Sequence, residues 1–115
     1  MNYLGKWFIK EMDMWDSNYI NMEVEGYIEF YNECSGNFQF GLVKGDIIYK
    51  IQKVKNKEVL KIKFTGVDEL DPVSGNGWLE IINSRIIEGE ISFNNVDISG
   101  FTAERQFNNI NMIRN

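Results

Sequence analysis

Near its N-terminus the chain reads Leu4-Gly5-Lys6-Trp7-Phe8-Ile9-Lys10-Glu11-Met12-Asp13-Met14-Trp15. A small residue followed two places later by tryptophan, at the head of a strand, is how small closed β-barrels often begin. If the apolar runs downstream pair into a cylinder, Trp7 is expected to close one end and Trp15 to lie at the other.

Two carboxylates interrupt the apolar pattern of the first strand. Glu11 and Asp13 follow Trp7 at a period of two, so a regular strand points them into the barrel. Such an internal pair is suited to acid–base catalysis, because burial and mutual repulsion separate the two pKa values. The alternative is a β-bulge that turns the strand, so that Met12 and Met14 face inward instead.

Composition indicates a single globular domain spanning residues 1–115, large enough to bury about two-thirds of its unfolded surface. Hydrophobic residues make up 43% and charged residues 25%, which excludes disorder as the default, and 14% aromatics favour strands. The net charge of −5 argues against a role that depends on neutralising phosphates, so no nucleic-acid partner is predicted.

The residues that are missing exclude several kinds of site. The chain has no histidine, which rules out Ser-His-Asp and Cys-His catalysis and zinc sites built on histidine. Its one cysteine, Cys34, has no intrachain partner, so a reducing compartment is the simpler interpretation. With no signal peptide and no apolar run of membrane-spanning length, we expect a cytoplasmic protein without a membrane partner. No cofactor and no metal ion are predicted.

Apolar alternation and turn residues predict eight strands. The first strand is followed by a connection over residues 16–23, in which Asp16 or Ser17 caps a helical turn. The second long connection is predicted over residues 67–76, from its Asp-Pro and Gly-Asn-Gly turn chemistry. Short turns are expected at residues 32–36, Lys44-Gly45-Asp46, Asn56-Lys57, 83–85 and 94–97. The other strands are expected at Val24–Tyr31, Asn37–Val43, Ile47–Lys55, Glu58–Gly66, Gly77–Ile82, Ile86–Phe93 and Ile98–Gln106, with residues 107–115 as a loose tail.

Consecutive hairpins without a crossover helix predict an all-β, eight-stranded antiparallel up-and-down barrel. A β-sandwich is the rival. Alternate connections of a meander lie at the same end, so both long connections are expected at one elaborated mouth, with Trp15 or Tyr19 near Leu70 or Trp78. Ligand sites in barrels lie in their mouths. The predicted ligand-binding residues are Glu11, Asp13, Trp15, Tyr19, Tyr49, Asp68, Asp71 and Trp78, and the alternative is that the carboxylates among them are turn residues and solvated charge.

Gly5-Lys6-Trp7, taken with Arg105 near the end of the last strand, resembles the Gly-x-Trp and final-strand arginine of lipocalins. The resemblance implies that Arg105 packs across Trp7 and closes the base of the barrel. The chain also looks like a family of short bacterial proteins, to which no activity is attached. That likeness depends on three motifs: Glu11-Met12-Asp13-Met14-Trp15-Asp16, Gly36-Asn37-Phe38-Gln39-Phe40-Gly41 and Asp68-Glu69-Leu70-Asp71-Pro72-Val73-Ser74-Gly75-Asn76-Gly77-Trp78.

The sequence is compatible with three functions. The first is a binding module that takes a small molecule or peptide at the barrel mouth. The second is a cofactor-independent enzyme that uses Glu11 and Asp13. The third is a homodimeric interaction protein whose outer sheet carries Phe8, Tyr27, Tyr31 and Ile48, and an interior too full for a ligand favours this one.

Overall fold

The computed structural model describes residues 3–105, which form eight strands closed into one antiparallel barrel. Each strand pairs with the next along the chain, and the last pairs with the first, so the predicted meander barrel is confirmed. The predicted tail at 107–115 lies outside the described residues. In chain order the elements are β1 (Gly5–Met12), α1 (Ser17–Ile20), β2 (Tyr27–Phe30), β3 (Ser35–Phe40), β4 (Val43–Val54), β5 (Lys57–Asp68), β6 (Asp71–Ile81), β7 (Ile86–Phe93) and β8 (Asp97–Glu104).

The core follows from alternation along the strands. Successive side chains of a strand point to opposite faces, and burial of the apolar face drives closure. On β5, for example, Leu60, Ile62 and Phe64 are buried, whereas Lys61 and Lys63 between them are exposed. The same alternation buries large residues along the whole barrel interior: Trp7, Phe30, Phe40, Ile47, Leu79 and Ile87.

A β-bulge in β1 overturns the predicted inward orientation of Glu11 and Asp13. Ile9 pairs with Ala103 but Glu11 pairs with Thr102, so Lys10 is an extra residue on β1 and the register shifts there. Beyond the shift Met12 is buried, while Glu11 and Asp13 are exposed. The bulge alternative is therefore correct for Met12, although it fails for Met14, whose side chain is 46% exposed.

The long connection predicted over residues 67–76 is wrong. β5 continues to Asp68 and β6 begins at Asp71, leaving the two-residue turn Glu69-Leu70. Proline is tolerated at position 72 because it has no N–H to donate and the ladder with β7 begins only at Gly75. Residues that favour turns in isolation are here held in a strand by pairing on β5.

Two other turns also differ from the prediction. Lys44-Gly45-Asp46 lies inside β4, and the chain reverses instead at Gly41-Leu42, where Gly41 has φ +56°. The β4–β5 hairpin reverses at Lys55-Asn56, one residue earlier than expected, with both residues at positive φ (53° and 68°). Two successive positive φ values are the type I′ geometry that matches the twist of the flanking strands.

Candidate binding surface

The interior of the barrel is filled by its own side chains. Aromatic rings fill much of it. The ring centroids of Phe38 and Phe64 lie 5.1 Å apart, and those of Phe64 and Phe93 lie 5.2 Å apart. The void left between Met12, Phe38 and Phe101 measures about 20 Å³. That is close to the ~10–15 Å³ that one water needs, and its lining is apolar. This interior void therefore has no room for an organic ligand.

The mouth of the barrel is plugged by an aromatic cluster. Trp15 lies 5.0 Å from Phe40 and 5.7 Å from Phe93 between ring centroids, and stacks on Tyr19 at 6.2 Å. Asp16 caps α1 as predicted, since its Oδ1 accepts a hydrogen bond from the Tyr19 N–H at 3.0 Å. This cap holds the Tyr19 ring over the mouth.

The two predicted mouth segments do share one end of the barrel. The Tyr19 hydroxyl accepts a hydrogen bond from the Leu42 N–H, and the Leu42 carbonyl accepts one from the Glu69 N–H at 2.9 Å. Asp68 and Asp71 flank that second turn, and Leu70 at its tip is 90% exposed. Within residues 3–105 no three carboxylate or thiol groups converge as metal ligands would.

Trp78 is one of the predicted mouth residues that the structure places elsewhere. It lies in the middle of β6, directly opposite Lys61 on one side and Glu90 on the other, and faces outward with 39% of its surface exposed. The misplacement follows from the missed first half of β6, which made Trp78 the head of a strand. Of the two neighbours predicted for Trp15 or Tyr19, Leu70 or Trp78, the second is therefore wrong.

The two carboxylates of β1 take different positions on the outer surface. Glu11 is exposed opposite Thr102. The Asp13 carboxylate accepts a hydrogen bond from the Gly100 N–H at 3.0 Å, while its own N–H donates to the Gly100 carbonyl at 3.0 Å. Asp13 thus extends the β1–β8 pairing by a side-chain bond, and neither group faces a cavity.

The base of the barrel is closed as the resemblance implies. The Arg105 guanidinium lies 4.2 Å above the Trp7 ring, and Trp7 is fully buried. Arg105 also donates to the Ser84 carbonyl through Nε and to the Leu4 carbonyl through Nη1, both at 2.9 Å. Burial lowers the pKa of this guanidinium. The ordinary value is so high that the group stays charged.

Tyr49 is buried as predicted, but it lies near the base and does not contact Glu11. Its hydroxyl hydrogen-bonds the Tyr3 hydroxyl at 2.9 Å and the Asn32 carbonyl oxygen at a shorter distance. Burial raises the pKa of Tyr49 well above its ordinary 10.0, and the bond to Tyr3 raises it further. The neutral phenol therefore joins the N-terminal segment, β4 and the turn after β2.

A large concavity lies on the outside of the barrel, over β4 to β8. Gly75 and Gly77 occupy inward positions of β6 without side chains, and a Cβ on Gly75 would lie only 2.8 Å from the Phe64 ring. The β6 backbone therefore sits close to the core and leaves a depression on its outer face. This outer groove has a volume of about 740 Å³.

Paired outward residues of five strands form the floor and walls of the outer groove. One row runs across the strands from Ile48 through Lys63, Asn76 and Ser92 to Ile98. The neighbouring row is Lys50, Lys61, Trp78 and Glu90. The groove thus combines exposed apolar side chains (Ile48 at 63%, Ile98 at 56%) with three lysines and one carboxylate.

The outer groove does not follow from a β6 that begins at Gly77, as the sequence predicts, because the strand begins at Asp71. The signal was present: residues 73–80 alternate Val73, Gly75, Gly77 and Leu79 with Ser74, Asn76, Trp78 and Glu80. Two glycines on the inner face of one strand mark a close approach of backbone to core. A tryptophan on the opposite face of the same strand then lies in the resulting depression.

Searches against family models, curated proteins and solved structures returned no match. Within the described residues, α1 with its four residues is far too short to cross a membrane, and no other helix there has the length and apolarity to do so.

Proposed function

We propose that the protein is a non-enzymatic interaction module that binds an acidic segment of another protein, with an apolar side chain, in the outer groove. The observation that carries the proposal is the contrast between an interior void of about 20 Å³ and an outer groove of about 740 Å³. Exposed tryptophan in a concave surface is typical of residues that dominate binding energy.

Electrostatics favours an acidic occupant. The ion pairs among residues 3–105 join Lys10 to Glu25 and Lys57 to Glu80. The lysines of the groove (Lys50, Lys61 and Lys63) take no part in them. A carboxylate beside Trp78 can therefore approach these lysines without displacing an existing partner, while an apolar side chain fills the space between Ile48 and Ile98. Complementary charge of this kind raises the association rate and specifies the partner.

The first test uses the acetylated, amidated tripeptide Glu-Leu-Glu, which is too short to act as a strand. Trp78 is the most exposed tryptophan, so its fluorescence should change on titration in a saturable way. The double variant Lys61→Gln, Lys63→Gln should weaken the response several-fold. The matched double variant Lys6→Gln, Lys10→Gln changes net charge equally on β1, which lies across the barrel, and should bind as the wild type does.

Two results would overturn this proposal. One is equal weakening by both double variants, which would mean that only net charge matters. The other is tighter binding of a single-stranded oligothymidine than of the acidic tripeptide, which would make the choice of partner wrong. Trp78→Ala should abolish tripeptide binding and leave the melting temperature nearly unchanged, because the side chain is partly exposed.

A second copy of the chain is the other occupant to consider. Of the predicted dimer residues, Ile48 lies in the outer groove and Tyr31 lies near it, since its N–H bonds the Ser35 carbonyl and Ser35 pairs with Ile48. Phe8 and Tyr27 pair on the other side of the barrel, with Lys6 over the Tyr27 ring at 4.3 Å. Sedimentation of the wild type and Ile48→Glu distinguishes the two occupants, because a homodimer through this face dissociates in the variant.

The compartment that suits this proposal is the cytoplasm, because Cys34 is exposed and an unpaired thiol persists under reducing conditions. We also propose kinship with lipocalin-like barrels and with the short bacterial family whose motifs the chain shares. That kinship is supported by the contact of Arg105 with Trp7 at the base.

A further inference from the structure

The β4–β5 hairpin projects beyond the base of the barrel. β3 pairs with β4 as far as Ser35 opposite Ile48, and the last bond between them runs from the Tyr49 N–H to the Cys34 carbonyl at 3.0 Å. β4 and β5 remain paired up to Val54 opposite Lys57. From residue 50 onward, β4 therefore has β5 on one side, and on the other an edge that is open among residues 3–105.

The backbone groups at this open edge can be identified from the alternation of the ladder. The Tyr49 N–H points toward β3, so the N–H and C=O groups of Ile51 and Lys53 point the same way. No residue among 3–105 pairs with them there. An exposed edge of this kind is a template for another strand.

The positive charge of the hairpin determines which kind of added strand the open edge of β4 favours. Residues 50–63 contain six lysines and one glutamate, in a chain whose net charge is −5. Of these lysines, Lys57 is the one with an ion pair to a described residue, Glu80 at 3.2 Å. Two copies of the hairpin would bring like charges together, which disfavours edge-to-edge self-association. A strand rich in glutamate or aspartate meets complementary charge.

We propose that the open edge of β4 at Ile51 and Lys53 accepts an extended acidic segment of another protein as an added strand. Backbone hydrogen bonds to these two residues supply the pairing, and the lysines of the hairpin supply the preference for acidic side chains. Ile51 and Val54, each about two-fifths exposed, lie on opposite faces of the hairpin, so each offers an apolar contact to one face of the added strand. This site differs from the outer groove in position and mode, and does not depend on it.

The test uses a fluorescein-labelled peptide that alternates glutamate and threonine, long enough to span the edge. Lys53→Pro removes the outward N–H without breaking a bond to β5, whereas Lys53→Ala removes the charged side chain and keeps that N–H. We expect Lys53→Pro to bind the peptide about fivefold to tenfold more weakly than Lys53→Ala, as the loss of one backbone bond implies. The amides of Ile51 and Lys53 should gain protection from hydrogen exchange when the peptide binds.

Trp78→Ala separates this inference from the proposed function, because it should abolish binding of the tripeptide and leave binding of the longer peptide unchanged. The inference is overturned if Lys53→Pro binds as Lys53→Ala does, if a peptide alternating lysine and threonine binds equally well, or if the two amides gain no protection. If Lys53→Pro disturbs the hairpin, the wild type is titrated instead with a backbone N-methylated peptide, which cannot form the hydrogen bonds of a strand. Equal binding of the methylated and unmethylated peptides would then overturn the inference.

Discussion

At the scale of single residues, Trp7 and Arg105 hold the base of the barrel together. The Trp7 indole N–H donates to the Tyr3 carbonyl at 2.9 Å, while its ring lies under the Arg105 guanidinium. Trp7→Ala should lower the free energy of unfolding by about 3–5 kcal/mol, as aromatic-to-alanine changes in cores do. Urea denaturation measures this loss. Trp78→Ala is the matched control and should cost far less; equal losses would contradict the assignment of Trp7 to the core.

Because of the bulge at Lys10, Glu11 and Asp13 should contribute unequally to the stability of the fold. Glu11→Gln should leave stability within about 0.5 kcal/mol, because the side chain is exposed and unbonded in the described structure. Asp13→Ala should cost about 0.5–1.5 kcal/mol, since the Gly100 N–H loses its acceptor. Asp13→Asn keeps an acceptor oxygen and should restore most of that loss. Thermal melts of the three variants check the order, and a larger loss for Glu11→Gln would place Glu11 inside after all.

At the scale of elements, the turns decide where strands begin and end. Gly41 has positive φ, and a Cβ there would lie inside contact distance of the Tyr19 ring. Gly41→Ala should therefore destabilise the protein by about 1–3 kcal/mol through strain and overpacking. Lys55→Gly is the converse change, because it places glycine at positive φ in an open turn, and it should be neutral or stabilising. Chemical denaturation of both variants tests the pair; similar losses would show that neither turn depends on its backbone conformation.

The elements also show which parts of the fold the sequence could predict. β7 was predicted at its observed bounds, since Ile87, Ile91 and Phe93 alternate with polar residues and turns flank the strand. β6 was half missed because Pro72 and two glycines indicate a turn when only local chemistry is considered. Their strand conformation depends on pairing with β5, and that information is not local.

At the scale of the whole molecule, Tyr49 makes stability depend on alkaline pH. The unfolded chain loses the phenol proton near pH 10, whereas burial holds it in the folded protein. The contribution of Tyr49 is thus fully present below pH 10 and falls as pH rises above it, by up to about 1.4 kcal/mol per pH unit. Tyr49→Phe should be less stable at neutral pH, and its unfolding free energy should fall less steeply above pH 10. Parallel slopes for variant and wild type would contradict this.

The candidate site could be predicted from sequence only in part. Trp78 was predicted as a ligand-binding residue and Ile48 as an outward one, but their convergence with the lysines of β4 and β5 in one groove depends on how deeply β6 sits against Phe64. That depth is set by packing between strands, so no single segment carries it. The filled interior likewise results from the summed volumes of residues far apart in the chain.

Pairing of β1 with β8 makes the barrel a ring, and a ring has no first strand. The Arg105 guanidinium donates a hydrogen bond to the Leu4 carbonyl at 2.9 Å, so a short linker from Arg105 back to Tyr3 would leave every strand pairing in place and keep the contacts of Tyr3. A circular permutant opened between Lys55 and Asn56, at an exposed turn, should fold to the same barrel, as its circular dichroism spectrum would report. The fold then depends on the order of strands around the barrel and not on which strand comes first in the chain.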